Sequence, residues 1–290
     1  MELSGEIERL CDGVAAGLRR AERVLFITGA GISADSGLPT YRGIGGLYES
    51  ELTDEGLRIE EALSGEVFSR RPDITWKYLA QIENNCRHAG PNAAHRAIAR
   101  LEERLPEVLV FTQNVDGLHR RAGSRNLIEI HGNLQRLACI VCDFRTEVEN
   151  LAGWPIPPRC PRCAAVIRPE VVLFGEMLPA GLMERFIETL DRGFDMVFSI
   201  GTSSSFPYIV QPVVWAAQCG IQLAPVPKRR LAGVPGGPSE PVGQRPGLPD
   251  ARRQQVPDDG PRHARLRPRG VRSGDPRLAR RGWYRPDRGG

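Results

Sequence analysis

Val24-Leu25-Phe26-Ile27-Thr28 runs without a break into Gly29-Ala30-Gly31-Ile32-Ser33-Ala34-Asp35-Ser36-Gly37. A short apolar run bounded by glycines predicts a buried strand followed by a tight turn into a helix. In such a turn, glycines let backbone N–H groups approach a pyrophosphate, and the helix N-terminus favours its charge. The spacing departs from Gly-x-Gly-x-x-Gly, so a plain strand–helix turn remains the alternative. Arg42, shortly after, is a candidate phosphate partner.

Working outward, the pattern repeats. Residues 5–20 read as an amphipathic helix, with Ile7, Leu10, Cys11, Val14 and Leu18 on one face. Residues 73–87, 91–104, 181–191 and 207–219 read as further helices, with Pro91 near the start of the second. Val108–Phe111, Leu127–Ile130, Val171–Phe174 and Met196–Ile200 read as strands. Strands alternating with helices predict an α/β fold, a Rossmann-like doubly wound parallel sheet. In that fold ligands bind at the carboxyl ends of the strands. Gln113, Asn114 and Asp116 follow one strand and suit ribose hydroxyls or an amide, or else an Asx turn or helix cap. Gly201, Thr202 and Ser203 follow another. His131 ends a third and is a candidate general base, although a lone histidine is more often structural. His95 and His119, on predicted helices, rank lower.

Cys139, Cys142, Cys160 and Cys163 form two Cys-x-x-Cys knuckles separated by 17 residues. Two such knuckles complete a tetrahedral four-sulfur zinc site with no open position, hence a structural one. The alternative is two unrelated or redox-active pairs. Cys11, Cys86 and Cys219 lie on predicted helices and read as ordinary packing or surface residues.

Taken together, GAGISADSGLPTYRG (29–43), TQNVDGLHRRAG (112–123), IEIHGN (128–133), the paired knuckles, IRPEVVLFGEMLP (167–179) and SIGTSSSFPY (199–208) occur in one order. Over about residues 15–220 the chain resembles the sirtuin family of NAD-dependent protein-lysine deacylases. The resemblance implies a large NAD domain and a small domain built from insertions at about 42–90 and a zinc module at about 132–168. It implies that Gly29, Ala30, Gly31, Ser33, Asp35 and Arg42 lie against NAD, with Gln113, Asn114 and Asp116 holding its ribose and nicotinamide and Gly201, Thr202 and Ser203 forming a further contact. His131 matches the catalytic base, and Val171, Val172 and Phe174 match the strand that pairs with an acyl-lysine peptide. The implied products are free lysine, nicotinamide and acyl-ADP-ribose.

Two departures carry expectations. Tyr41 stands where the family usually has Phe, and an aromatic there still shields the cofactor. Members preferring succinyl- or malonyl-lysine carry Tyr and Arg, three apart, before the Pro-Asn-x-x-His segment. Aligned from Pro72, those positions are Leu79 and Ile82, which implies neutral acyl groups such as acetyl.

The chain has 290 residues, 41% hydrophobic and 26% charged, as in ordinary globular proteins. Its net charge of +4 is unevenly spread. After Gly220 stand 16 of the 39 Lys and Arg but only 6 of the 35 Asp and Glu, so residues 1–220 are net acidic. More than half of residues 221–290 are Pro, Gly or Arg, a composition that predicts disorder. The family continues there with an Asn-bearing strand, so the change suggests a reading-frame shift, an exposed sheet edge and weaker adenosine binding. No apolar run reaches the roughly 20 residues of a membrane span, and the start lacks a secretory pattern. A cytoplasmic location is expected. Alternatives to a deacylase are a mono-ADP-ribosyltransferase on the same scaffold, or an inactive NAD module whose basic tail binds nucleic acid.

Overall fold

The computed structural model describes residues 5–39, 52–203 and 206–225. Tyr41, Arg42 and the segment from 226 onward lie outside the described residues. In chain order the elements are α1 (Gly5–Leu18), β1 (Arg23–Thr28), a 3-10 turn (Ala30–Ser36), α2 (Ile59–Ala62), α3 (Gly65–Arg70), α4 (Pro72–Arg87), α5 (Ala93–Glu102), β2 (Glu107–Thr112), α6 (Leu118–Arg121), β3 (Leu127–Glu129), β4 (Gly132–Cys139), β5 (Arg145–Glu147), β6 (Ile167–Val171), α7 (Ala180–Asp191), β7 (Met196–Ile200), α8 (Pro207–Gln218) and β8 (Gln222–Pro225).

Five strands form a parallel sheet in the order β3-β2-β1-β7-β8. β1 and β2 are buried along almost their whole length, as expected of parallel strands covered on both faces. Their side chains alternate between two cores. Leu25, Ile27, Leu109 and Phe111 pack with Met183, Phe186 and Leu190 of α7 and Ile209 of α8. Val24, Phe26, Val108 and Val110 pack with Ile98 of α5, and Val14 and Leu18 of α1 border them. The register aligns the carboxyl ends: Thr28 is opposite both Thr112 and Ile200, and Thr112 is opposite Glu129. The chain winds from β1 through β2 to β3, then returns to the other side of β1 as β7. The crevice between β1 and β7 is therefore the topological switch point, where open α/β sheets bind ligands.

A smaller module carries an antiparallel sheet in the order β5-β4-β6. Its core joins Ile59, Leu63, Phe68, Trp76, Leu79 and Ile82 from the first insertion to Leu134, Leu137, Val166, Ile167 and Leu173 from the second. Trp76 is fully buried and its indole N–H donates to the Ile167 carbonyl at 2.8 Å. Glu129, buried at the end of β3, accepts from Arg120 of α6 at 2.9 Å and from Arg136 and Asn133 of β4 at 2.8 and 2.7 Å. This network ties the small sheet to the large one.

Four expectations change. The strand placed at Val171–Phe174 is Ile167–Val171, a member of the small sheet. Pro169 hid it from the sequence pattern; the residue is accommodated because β6 is an edge strand and its pairing with β4 shifts register between Asn133 and Leu137. The helix read at 91–104 is Ala93–Glu102, capped by Asn92, whose side chain accepts from the Ala94 N–H at 3.0 Å. The strand β4 was not anticipated, because Asn133, Gln135 and Arg136 interrupt its apolar pattern. Finally, the sheet continues past Gly220. Gln222–Pro225 pairs with β7 in parallel register, Met196 opposite Gln222, so β7 is not an open edge. Among the described residues, no helix is long and apolar enough to cross a membrane.

Candidate active site and metal centre

At the switch point two loops meet backbone to backbone. A Cβ on Gly29 would lie 2.8 Å from the Gly201 carbonyl oxygen, and one on Gly31 would lie 2.7 Å from the Gly201 Cα. Gly201 itself has φ +63, and a side chain there would collide with the Ile32 nitrogen. The Gly29 N–H donates to Ile200 at 3.0 Å and the Gly31 N–H to Gly201 at 2.8 Å. Those two N–H groups are engaged by the neighbouring loop, and the glycines let the two backbones approach closely.

The 3-10 turn that follows carries Ser33 inward. Ser33 Oγ donates to Asp116 Oδ2 at 2.7 Å and accepts from Asn114 Nδ2 at 3.2 Å. Asn114 Nδ2 also reaches the Gly29 carbonyl at 3.2 Å. Asp116 Oδ1 accepts the Leu118 N–H at 2.9 Å, so the Asx-turn reading of this segment also holds for one of its oxygens. Gln113 Nε2 donates to Thr202 Oγ1 at 2.8 Å, bridging β2 to the β7 loop. Thus Gly29, Gly31, Ser33, Gln113, Asn114, Asp116, Gly201 and Thr202 are brought together. Asp35 and Ser203 are exposed. Ala30 opens the 3-10 turn.

Behind this network lie two buried histidines. His119 Nε2 is 3.0 Å from Thr28 Oγ1, which donates to Thr112 Oγ1 at 2.8 Å. The His95 and His119 rings meet edge to face at 4.8 Å between centroids. His95 Nε2 and His119 Nδ1 are buried with no hydrogen-bond partner among the described residues. Burial, and then the neighbouring His95, push His119 down to about 3; burial lowers His95 as well. Asn92 Nδ2 donates to the Ile32 carbonyl at 2.7 Å, fixing α5 against the turn. Helical placement alone ranks both histidines low, because it does not reveal which side of a helix faces in.

His131 sits between β3 and β4. Its Nδ1 lies 3.0 Å from the Gln113 carbonyl oxygen, which can only accept, so Nδ1 carries the proton. Nε2 lies 2.7 Å from the Tyr208 hydroxyl and accepts from it. Burial lowers the His131 pKa, with the Gln113 carbonyl opposing, so the ring is neutral near pH 7. The Val172 N–H donates to the His131 carbonyl at 2.9 Å, and Val171 pairs with Gly132. Phe174 is 40% exposed and bonds Leu63 and Gly65 through its backbone. The segment expected to meet a peptide therefore abuts the base.

The four cysteine sulfurs lie within 4.8 Å of one another. Cys139–Cys163 is 3.4 Å, while Cys142–Cys160 and Cys142–Cys163 are each 3.6 Å. A tetrahedral site with Zn–S near 2.3 Å has sulfurs about 3.8 Å apart, so the set fits zinc. The N–H groups of Cys142 and Val141 point at Cys139 Sγ from 3.5 and 3.4 Å and help hold that thiol down, to about 6. All four ligand positions are filled by sulfur, which suits a structural ion.

The model of the Sir2 family matches residues 29–207. The chain belongs to the Sir2 family. A Pseudomonas aeruginosa protein named NAD-dependent protein deacylase 2 is 54% identical over 211 residues, covering 71% of this chain and 82% of that one. A Thermococcus kodakarensis NAD-dependent protein deacylase is 39% identical over 207 residues, covering 67% and 77%. Among solved structures, a Sir2 homologue–NAD complex aligns at TM-score 0.64 and 35% identity, covering 73% of this chain and 80% of that one. A Sir2–p53 peptide–NAD+ complex aligns at 0.61 and 29%, covering 73% and 83%.

Two measurements follow for this Sir2 chain. The purified protein is expected to carry one zinc by atomic emission. Cys142→Ser is expected to lose most of it, together with the near-ultraviolet circular dichroism of the small module; retention of full zinc would exclude the four-sulfur site. The second concerns pH. Unfolded His titrates near 6.5 and folded His119 near 3, so the unfolded chain binds the proton first. Stability is present above about 6.5 and is lost as pH falls toward 3. Urea unfolding between pH 7 and 5 should show this loss, and His119→Gln should flatten it by at most about 1.4 kcal/mol per pH unit.

Proposed function

We propose that this chain is an NAD-dependent protein-lysine deacylase, with His131 as the base and the β1–β7 crevice as the NAD site. The observation that carries this is the convergence of Ser33, Asn114, Asp116 and a neutral His131 on one line of strand ends, in a Sir2 chain 54% identical to a protein named as a deacylase. The donor set suits the ligand. Glycine backbone on both loops keeps side chains away from the strand ends, and the Asp116 carboxylate and the Asn114 amide oxygen offer acceptors to ribose hydroxyls or a carboxamide N–H.

NAD, when bound, supplies an electrophilic ribose carbon with nicotinamide as leaving group. The residues of the chain do the rest. Asn114, Asp116 and Ser33 hold one another in place and so present a fixed face to the ligand. Gln113 positions His131 through its carbonyl and the β7 loop through its amide. His131 takes a hydroxyl proton on Nε2, as general base. The exposed Phe174 and the Val172 backbone form the side toward which an acyl-lysine peptide would lie. Ala30, Asp35, Arg42, Gly201, Thr202 and Ser203 complete the cofactor contacts in this reading. The zinc braces the small module, because β4 leads from Gly132 directly to Cys139.

Neutral acyl groups are the favoured substrates. Leu79 and Ile82, the positions at which other members carry Tyr and Arg, are 3% and 9% exposed and packed in the apolar core with Leu134 and Leu137. An acidic acyl chain would find no cation from either.

The test is NAD-dependent release of nicotinamide with an acetyl-lysine peptide, followed by mass spectrometry of the peptide. Loss of acetyl is expected. Gain of ADP-ribose instead would favour the transferase reading. His131→Ala is expected to reduce turnover by about 10²–10⁴-fold with zinc content unchanged, and undiminished turnover would remove His131 from its role. Acetyl-lysine is expected to exceed succinyl-lysine in kcat/KM by roughly tenfold or more, the worth of a missing charged hydrogen bond; the reverse order would refute the acyl assignment.

A further inference from the structure

The nitrogen that His131 needs in order to act as a base already accepts a hydrogen bond. With Nδ1–H directed to the Gln113 carbonyl at 3.0 Å, the lone pair on Nε2 receives the Tyr208 hydroxyl at 2.7 Å. Any proton that His131 takes on Nε2 must therefore either displace Tyr208 or pass through it.

The surroundings of Tyr208 decide between these. The residue stands in the first turn of α8, where Phe206 is the cap and Pro207 fixes the backbone. Its ring packs against the core that includes Phe186, Ile209 and Val197, and it stacks on Phe206 at 5.4 Å between centroids. His131 meets both rings edge to face, at 6.1 Å from Tyr208 and 6.2 Å from Phe206. A phenol held on one side by a core and on the other by a stacked ring is a fixed post rather than a gate.

We propose that Tyr208 relays the proton to His131. In the step, a ligand hydroxyl proton passes to Tyr208 Oη as the proton of Tyr208 passes to His131 Nε2. The ligand oxygen keeps the electron pair, Tyr208 ends neutral, and His131 becomes the imidazolium, still donating from Nδ1 to Gln113. Burial pushes the Tyr208 phenol up to about 12, so an isolated tyrosinate is disfavoured and the two transfers occur together. The inference rests on the reading of His131 as the base and adds the group through which it acts.

Tyr208→Phe keeps the ring and removes only the relay atom. Two readouts test it. The first needs no turnover: nitrogen-15 NMR of histidine-labelled protein. Wild type is expected to show His131 as the Nδ1–H tautomer with a hydrogen-bonded Nε2. Tyr208→Phe should keep the tautomer and move the Nε2 signal toward that of a lone pair without a donor. An Nε2–H tautomer in wild type, or an Nε2 signal indifferent to the substitution, overturns the proposal. The second is steady-state kinetics with acetyl-lysine peptide. Tyr208→Phe should lower kcat by about 10²-fold, the lower end for a positioned proton-transfer group, with KM for NAD nearly unchanged. Unchanged or faster turnover in Tyr208→Phe, while His131→Ala is dead, overturns the relay and leaves the deacylase reading standing. No NAD-dependent deacylation by wild type overturns that reading and the relay with it.

Discussion

Between the carboxyl ends of β1 and β7 two backbones touch with no side chain between them. Gly29 and Gly31 meet Gly201 at distances that no Cβ would tolerate, and two N–H···O=C bonds close the seam. Everything at the site is placed from this seam. It sets the path of the 3-10 turn, which aims Ser33 at Asn114 and Asp116. It sets the height of Thr202, which Gln113 reaches across from β2. Because the carbonyl of that same Gln113 fixes the His131 tautomer, the base inherits its orientation from glycines on other strands. The constraint is steric, so it does not weaken with salt or pH, unlike the ion pairs at the surface.

The second organising element is Glu129. A carboxylate this deeply buried is tolerated only because three donors surround it. Those donors come from α6 and β4, so the network holds the large sheet and the small module in one relation at the point where His131 lies. Removing the carboxylate would leave guanidinium groups crowded together without their partner. The base itself is set between the Gln113 carbonyl on one side and the Tyr208 hydroxyl on the other.

Much of this was legible in the residues, and the failures have physical reasons. Val24–Thr28, Val108–Phe111 and Met196–Ile200 were readable because a parallel strand covered on both faces is apolar without interruption. Asn114, Asp116 and His131 stand out as candidates because polar residues just after such strands lie where α/β ligands bind, whereas Ser33 is singled out only by the family resemblance. The paired knuckles were readable because metal geometry imposes spacing. In contrast, β4 was hidden by its own polar residues, β6 by Pro169, and β8 by its brevity beside a Pro-rich continuation. Tyr208 carried no signal, since one aromatic at a helix start does not announce a partner 77 residues earlier. The glycines mark a tight turn in the sequence, but sequence does not say which neighbour takes each N–H, here Ile200 and Gly201.

The seam also governs the order in which the chain can assemble. Thr28 and Ile200 are register partners 172 positions apart, with both insertions lying between them in the chain. β1, β2 and β3 can pair earlier, over shorter closures, with correspondingly smaller loss of chain entropy. The crevice is therefore among the last features to exist on the folding path. A chain arrested before β7 docks would keep a partial sheet, a small module and its thiolates, but no place for a ligand to sit.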